Sequence, residues 1–369
     1  MKRRLFLQGT LTAALSAGIR PSLWAAIAQA ELDGAAMILQ SAVDSRQVES
    51  ATLGVVHRGK EFHRWFGKAE STDAMFLLGS ISKPICVTAL MTLFDEGEFQ
   101  LDDPLKKYLP KFTGAGRERI TIRQLLSHVS GLPDQLPENN MLRSRHAELS
   151  EFVEHAIRTP LLFTPGERYQ YASMGILLAT HVAEVITGTD IREFVDTRVF
   201  QPLQMTRSAQ GLGRFDLSEL IRCQTEHAAP ESGAGDPGAK NWDWNSPYWR
   251  SLGAPWGATH ASAPDLVRFL SEFLNEQGTI LKPETARQMV TNQNRLGLAP
   301  RGLGFHVGSS AGSPGCSERT FGHTGSTGTI AWADPKSETI CIILTSLPGR
   351  ASNPHPRELV SRKVAASIT

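Results

Sequence analysis

Ser80 and Lys83 stand three residues apart in Phe76-Leu-Leu-Gly-Ser80-Ile-Ser-Lys83-Pro84, at the start of an apolar-periodic stretch. On a helix that spacing puts a hydroxyl and an amine one turn apart on the same face. A serine hydroxyl is too weakly acidic to attack a carbonyl unaided. A nucleophilic serine needs a base within hydrogen-bond reach, and this spacing supplies one. Alone the pair says little, because a chain with this serine and lysine content holds roughly one Ser-x-x-Lys by chance. An exposed helix start with a solvated lysine is the plain alternative. What makes the chemistry specific lies further along the chain.

Tyr171-Ala172-Ser173 follows the turn-like Thr164-Pro-Gly-Glu-Arg-Tyr-Gln170 and opens an apolar helix. His323-Thr324-Gly325 lies in Phe321-Gly-His-Thr-Gly-Ser-Thr-Gly328, just before a β-rich segment. With Ser80 and Lys83 these two motifs, in this order, resemble the active-site set of serine β-lactamases and penicillin-binding proteins. Ile120-Thr-Ile-Arg-Gln-Leu-Leu-Ser-His128-Val-Ser-Gly131-Leu-Pro133, Leu101-Asp-Asp-Pro104 and Phe200-Gln-Pro-Leu-Gln-Met205-Thr resemble the same group, which takes in class C β-lactamases, D-alanyl-D-alanine carboxypeptidases and family VIII carboxylesterases. The likeness runs over roughly residues 45–345.

The resemblance implies roles. Ser80 would attack a carbonyl to form an acyl-enzyme, and Lys83, desolvated by helix packing, would hold or relay its proton. Tyr171 would share that proton and deliver it to the leaving group, with neighbouring positive charge lowering its pKa. The backbone N–H groups of Ser80 and Ser326 would form the oxyanion hole, with His323, Gly325 and Ser173 on the substrate side. Two positions depart from the pattern. Ser173 stands where asparagine is common and is shorter, with one donor rather than two. His323 stands where many β-lactamases carry lysine, so a permanent charge is lost; a histidine meeting a substrate carboxylate would do so only when protonated, with affinity falling as pH rises through about 6.5. Both departures favour ester or small-amide hydrolysis over efficient β-lactam turnover.

Elements that could position these residues follow from periodicity. Ala51–His57 and Glu61–Phe66, joined across Arg58-Gly59-Lys60, predict a hairpin. Ser82–Glu96 predicts a helix with Pro84 in its first turn and Gly97 as its stop. Residues 104–290 read as mostly helix and loop. Met174, Leu177, Leu178, Val182, Val185 and Ile186 mark one helix face, and Leu266, Phe269, Leu270 and Phe273 another. Strand character returns at Leu303–Val307, Thr329–Ala333 and Thr339–Leu347, with a turn at Asp334-Pro335-Lys336-Ser337 and a closing helix over His355–Ile368. The fold the resemblance implies is mixed α/β (α+β): an antiparallel sheet made from both ends of the chain, flanked by helices, around an inserted helical domain. That places a sheet domain in 31–75 with 295–369 and a mostly helical one in 76–294.

Lys2-Arg3-Arg4-Leu5-Phe6-Leu7-Gln8 resembles a twin-arginine export signal, with a mildly apolar run after it and a small-x-small site at Ala28-Gln29-Ala30. The expectation is a signal over 1–30 and a periplasmic protein, without a stable membrane anchor; an uncleaved amphipathic segment on a cytoplasmic protein is the alternative. Losing those residues removes four cations and no acid, taking the net charge from +1 to −3. Such a balance points away from nucleic acid. Cys86, Cys223, Cys316 and Cys341 lack metal-ligand spacing, so no metal or other cofactor is expected, and no pairing can be read from the sequence. Cys86 and Cys341 sit in apolar runs and read as buried small hydrophobes. Trp242 and Trp244, in the loop Glu231–Asn245, are placed either to line a pocket or to pack on the body of the protein. There is no Gly-x-Ser-x-Gly elbow.

The expected activity is therefore serine hydrolysis of a small ester, amide or β-lactam, with no obligate protein partner evident. A D-alanyl-D-alanine-type peptidase on peptidoglycan fragments and a non-catalytic penicillin-binding or sensor protein are the alternatives.

Overall fold

The computed structural model describes residues 23–367. Most of the expected export signal lies outside them. Among the described residues nine strands form two sheets: β1 Ser50–His57, β2 Lys60–Gly67, β3 Phe76–Leu77, β4 Ser208–Gln210, β5 Thr259–Ala261, β6 His306–Val307, β7 Phe321–Gly325, β8 Thr329–Asp334 and β9 Thr339–Thr345. The larger sheet has the order β2-β1-β9-β8-β7-β6, with every neighbouring pair antiparallel. The first hairpin and the last strand thus pair directly, Leu53 opposite Ile343, which is how the two ends of the chain come to share one sheet. The hairpin turns at Arg58 and Gly59, both at positive φ, the geometry that suits the right-handed twist of its strands.

Both faces of this sheet are covered, and the period-two alternation of the strands shows how. Along β9, Ile340, Ile342 and Leu344 face the main core, while Cys341 and Ile343 face a second one. That second core is closed by the helix Leu23–Asp44 through Ala35 and Leu39, and by the helix Pro356–Ser367 through Val360 and Val364. The helix Ala263–Leu274 packs on the opposite face against β9, β1 and β8.

Ser82–Glu96 is buried on all sides from Ser82 to Leu93 and ends at Gly97, in the left-handed conformation with φ of 86°. A helix buried all round belongs to the centre of a core, and Lys83 is carried inside it.

Two expectations are corrected. Leu303–Val307 is a strand only at His306–Val307, because Gly304 turns left-handed with φ of 79° and its N–H bonds the Leu126 carbonyl. Val185 is 46 % exposed, since the last turn of its helix Ser173–Thr187 leaves the core that buries Met174, Leu177, Leu178 and Val182. His323-Thr-Gly forms a strand of its own, β7, just before β8 as expected of a β-rich region. The small sheet β3-β5-β4 had no signal, because strands of two or three residues are too short to show a period.

Candidate active site

Ser80 sits in a single 3₁₀ turn, Gly79–Ile81, between β3 and the buried helix. Several bonds fix that turn. Leu78 N–H donates to the Thr259 carbonyl at 2.9 Å, Ser82 Oγ donates to the Gly79 carbonyl at 2.7 Å, and Thr259 N–H donates to Ser82 Oγ at 3.0 Å. The β7–β8 turn is tied to the same segment, Thr327 Oγ1 donating to the Leu77 carbonyl at 2.6 Å and Thr329 Oγ1 to the Leu78 carbonyl at 2.7 Å.

Gly79 has φ of 57°, and a Cβ there would lie 3.1 Å from the Ser326 nitrogen; one at Gly325 would lie 2.0 Å from the Leu78 carbonyl oxygen. Glycine at these two positions lets the Ser80 and Ser326 backbones close on one another. The Ser326 N–H finds no acceptor among the described residues, as an oxyanion donor must. Gly325 therefore shapes the site by its lack of a side chain.

Lys83 Nζ lies 3.0 Å from Ser80 Oγ and 3.0 Å from the Trp256 carbonyl, with the Tyr171 ring centroid 4.7 Å away. Its burial, opposed by the negative charge of Asp134 and assisted by Arg301, lowers its pKa to about 7. A solvated lysine is thereby ruled out, and an amine that is substantially neutral at neutral pH stands against the hydroxyl.

Tyr171 is positioned by the Ser127–Gly131 stretch. Gln170 N–H donates to the His128 carbonyl, and Ala172 N–H to His128 Nδ1 at 3.1 Å. The His128 ring packs on Tyr171 with centroids 4.7 Å apart. The Tyr171 hydroxyl is buried and has no hydrogen-bond partner in the resting site beyond a weak contact to Ser80. Burial raises its pKa above the usual phenol range, outweighing the opposite pull of Arg301 and Ser80, so the expectation of an acidified phenol is corrected. Tyr171 stays a neutral phenol, able to pass on a proton but not to begin as a phenolate.

His323 is also corrected. Its Nδ1 is 2.7 Å from the Thr324 carbonyl, which can only accept, so Nδ1 carries the proton and Nε2 accepts from Arg301 at 2.6 Å. Burial and the adjacent Arg301 charge hold its pKa well below the ordinary histidine value. His323 is a neutral ring, and the cation next to it is the buried Arg301 that donates to its Nε2. No titration near pH 6.5 is then expected in the KM of an anionic substrate from this residue. His323→Lys, instead of restoring a useful charge, would set a second buried cation against Arg301, next to the buried amine of Lys83. We expect it to destabilise the fold by on the order of 3 kcal/mol, read as a lower midpoint in urea unfolding; an unchanged midpoint would contradict this.

Ser173 opens its helix with both its N–H and its Oγ donating to Asp134 Oδ1, at 3.1 and 2.5 Å. Its single donor is therefore occupied, and toward a substrate it can only accept. Ser80, Tyr171, Ser173 and Ser326 line one cavity of about 190 Å³, together with Asp134, Arg143, Glu231, Trp244, Trp249, Trp256 and Arg350. Trp244 thus lines the cavity while also packing on the body, whereas Trp242 only packs. Asp134, Arg143 and Arg301 carry no signal in the sequence and His128 shows only within the resembling stretch, because a polar residue outside a motif bears no mark of its tertiary partners. All four cysteines are buried free thiols.

The model of the family named Beta-lactamase matches residues 35–365, nearly the whole described chain. The chain belongs to the Beta-lactamase family. Among curated members, a protein of Escherichia coli strain K12 named "Putative D-alanyl-D-alanine carboxypeptidase" is 24 % identical over 306 residues, 75 % of this chain and 70 % of that one. A protein of the same name from Salmonella schwarzengrund is 25 % identical over 328 residues, 80 % and 76 % of the two chains. Two solved structures of the Beta-lactamase fold are similar: EstCE1, "a hydrolase with promiscuous acyltransferase activity", with a TM-score of 0.73 at 20 % identity, covering 93 % of this chain and 98 % of that one, and a "putative beta-lactamase" from Bacteroides dorei DSM 17855, with a TM-score of 0.67 at 21 % identity, covering 89 % and 97 %. At those identities the structures establish the architecture alone. Membership of the Beta-lactamase family makes the chain a serine hydrolase.

Proposed function

We propose that this chain hydrolyses small carboxylic esters and simple amides through an acyl-enzyme on Ser80, with esters turned over faster than β-lactams. The observation that carries this reading is Lys83 Nζ at 3.0 Å from Ser80 Oγ, with its pKa brought down to about 7. Neutral Lys83 accepts the Ser80 proton as Oγ attacks the carbonyl. The resulting oxyanion is held by the Ser80 and Ser326 N–H groups, and Tyr171 relays the proton taken up by Lys83 to the departing alkoxide or amine, giving its own and receiving that of Lys83, so that both end neutral. Water then attacks the acyl-enzyme by the reverse proton path, freeing the acid and Ser80.

Esters are favoured because Ser173 offers no free donor to a substrate amide and the cavity is small: about 190 Å³, against the ~300–1,000 Å³ usual for drug-sized ligands. A second reading, a D-alanyl-D-alanine-type peptidase, is supported by the exposed cation Arg350 on the cavity wall, which suits a terminal carboxylate, and by the names of the curated relatives. One purified sample assayed with 4-nitrophenyl esters, nitrocefin and a D-Ala-D-Ala peptide tests both. The expected order of kcat/KM is ester, then peptide or nitrocefin; a peptide or nitrocefin value above that of every ester would overturn the ester reading.

Export by a twin-arginine route to the periplasm is part of the same proposal. It is supported by Arg3-Arg4 and by the first described helix, in which Ala35, Ala36, Leu39 and Ala42 are buried, all of them after Ala30. Fractionation should find the wild type in the periplasm and an Arg3→Lys, Arg4→Lys variant in the cytoplasm; equal distribution would refute it.

A further inference from the structure

The cavity beside Ser80 has a feature that acyl transfer does not use. Arg143, on the short helix Asn139–Ser144, is 1 % exposed and lines this cavity. Its Nε donates to Asn139 Oδ1 at 3.2 Å, its guanidinium carbon lies 3.6 Å over the Trp249 ring centroid, and its Nη1 is buried without a partner. It forms no ion pair among the described residues, whereas the buried Arg117, Arg250 and Arg357 each donate to at least two backbone carbonyls. Burial lowers the Arg143 pKa only to about 10, which leaves it charged at neutral pH.

Two further donors of the same wall, Trp249 Nε1 and Trp256 Nε1, are also buried and unpartnered. Buried donors are normally satisfied, and a buried cation is costly unless it is paired. Three idle donors on residues lining one small cavity, one of them a guanidinium, ask for an anionic acceptor-only group, and on the short acyl chain of a carboxylic ester that group is a carboxylate. Gln135 Oε1 is an unpartnered acceptor on the same wall, but its amide can turn its NH₂ inward. The carboxylates that line the cavity do not fill the role. Asp134 Oδ1 is held by Ser173, and Glu231 moderates the Arg143 charge without reaching ion-pair distance.

We propose that Arg143, Trp249 and Trp256 form a carboxylate-binding subsite, which selects substrates whose short acyl group ends in a carboxylate, such as monoesters of four- or five-carbon dicarboxylic acids. The assignment rests on the Ser80 acyl-enzyme reading for its catalytic consequence, but not for binding. The small cavity favours a short chain, and the planar guanidinium suits a carboxylate's two oxygens.

The test compares 4-nitrophenyl hemiglutarate with 4-nitrophenyl valerate, of matching length and no charge. The wild type should prefer the hemiglutarate in kcat/KM by about tenfold or more, the worth of one charge-assisted hydrogen bond. Arg143→Gln should reduce that ratio by a similar factor, and Arg143→Lys, which keeps the charge but not the fork, should fall between. A wild-type ratio near one, or a ratio unchanged in folded Arg143→Gln, would overturn the subsite. A second measurement separates this idea from the nucleophile assignment: monomethyl glutarate should quench tryptophan fluorescence of the Ser80→Ala protein, and should fail to do so once Arg143→Gln is added. Quenching with no Ser80-dependent esterase activity in the wild type would sink the acyl-enzyme reading and keep the subsite. Absence of quenching would sink the subsite alone.

Discussion

Ser80→Ala is expected to abolish labelling by a fluorophosphonate and to lower kcat on a 4-nitrophenyl ester by roughly 10⁴–10⁶, the range seen when a serine hydrolase loses a nucleophile whose partners act with it as a unit. The wild type should take up one label, on the peptide carrying Ser80. The structure makes the competing serines poor candidates. Ser82 is fully buried with its hydroxyl donating to the Gly79 carbonyl and accepting from Thr259 N–H, and Ser130 is likewise buried, its oxygen turned to Leu132 N–H. Ser80 instead reaches the cavity with Lys83 behind it. Label recovered on Ser82 or Ser130, or retained in Ser80→Ala, would remove Ser80 from the nucleophile's place.

Why the nucleophile could be read from the chain and its charged surroundings could not has a physical explanation. Ser80 and Lys83 are local: one helical turn fixes their relation, so spacing alone carries the geometry. The hairpin, the buried helix Ser82–Glu96 with its Gly97 stop and the closing helix were legible for the same reason, since period and capping act within a few residues. Tyr171 and Ser326 were placed by motif resemblance, and the structure brings both to the cavity with Ser80.

What failed to show was tertiary. Arg301 reaches His323 across 22 residues and Asp134 reaches Ser173 across 39, with nothing in the intervening text to mark either pair. The acidified phenol expected of Tyr171 and a titration of His323 near pH 6.5 both fail, although His323 is neutral as expected, because both depend on how deeply the side chain is buried and on what stands beside it. A motif names the residue type and leaves its dielectric surroundings open. Lys83 was read correctly as desolvated because the segment around it is apolar on every face, and that much can be counted from sequence.

The pH dependence of kcat/KM on a neutral ester should rise through about 7 and level above it, because the neutral form of Lys83 is the base and its pKa in the free enzyme is about 7. The sign follows from the direction of the shift. Burial pushes the amine down from its ordinary value, so protonation on the acid side of 7 removes the acceptor for the Ser80 proton. If the ammonium were the working form, activity would instead fall through the same pH. The neighbours decide the position of that limb. Asp134 raises the Lys83 pKa and Arg301 lowers it, with smaller upward pulls from Cys86 and Glu231. Asp134→Asn should therefore move the limb to lower pH, whatever it does to the height of the plateau. His128 and His323 should add no limb of their own above pH 6, since burial and Arg301 keep both rings neutral. Lys83→Ala should cost roughly 10²–10⁴ in kcat and erase the limb, and Tyr171→Phe should cost a similar factor while leaving the limb near 7 in place. That last contrast separates the two roles: a base sets the limb, whereas a neutral phenol that only relays a proton sets the height. A profile flat from about pH 5.5 to 8.5 in the wild type, or a limb that moves with Tyr171→Phe, would transfer the base function away from Lys83.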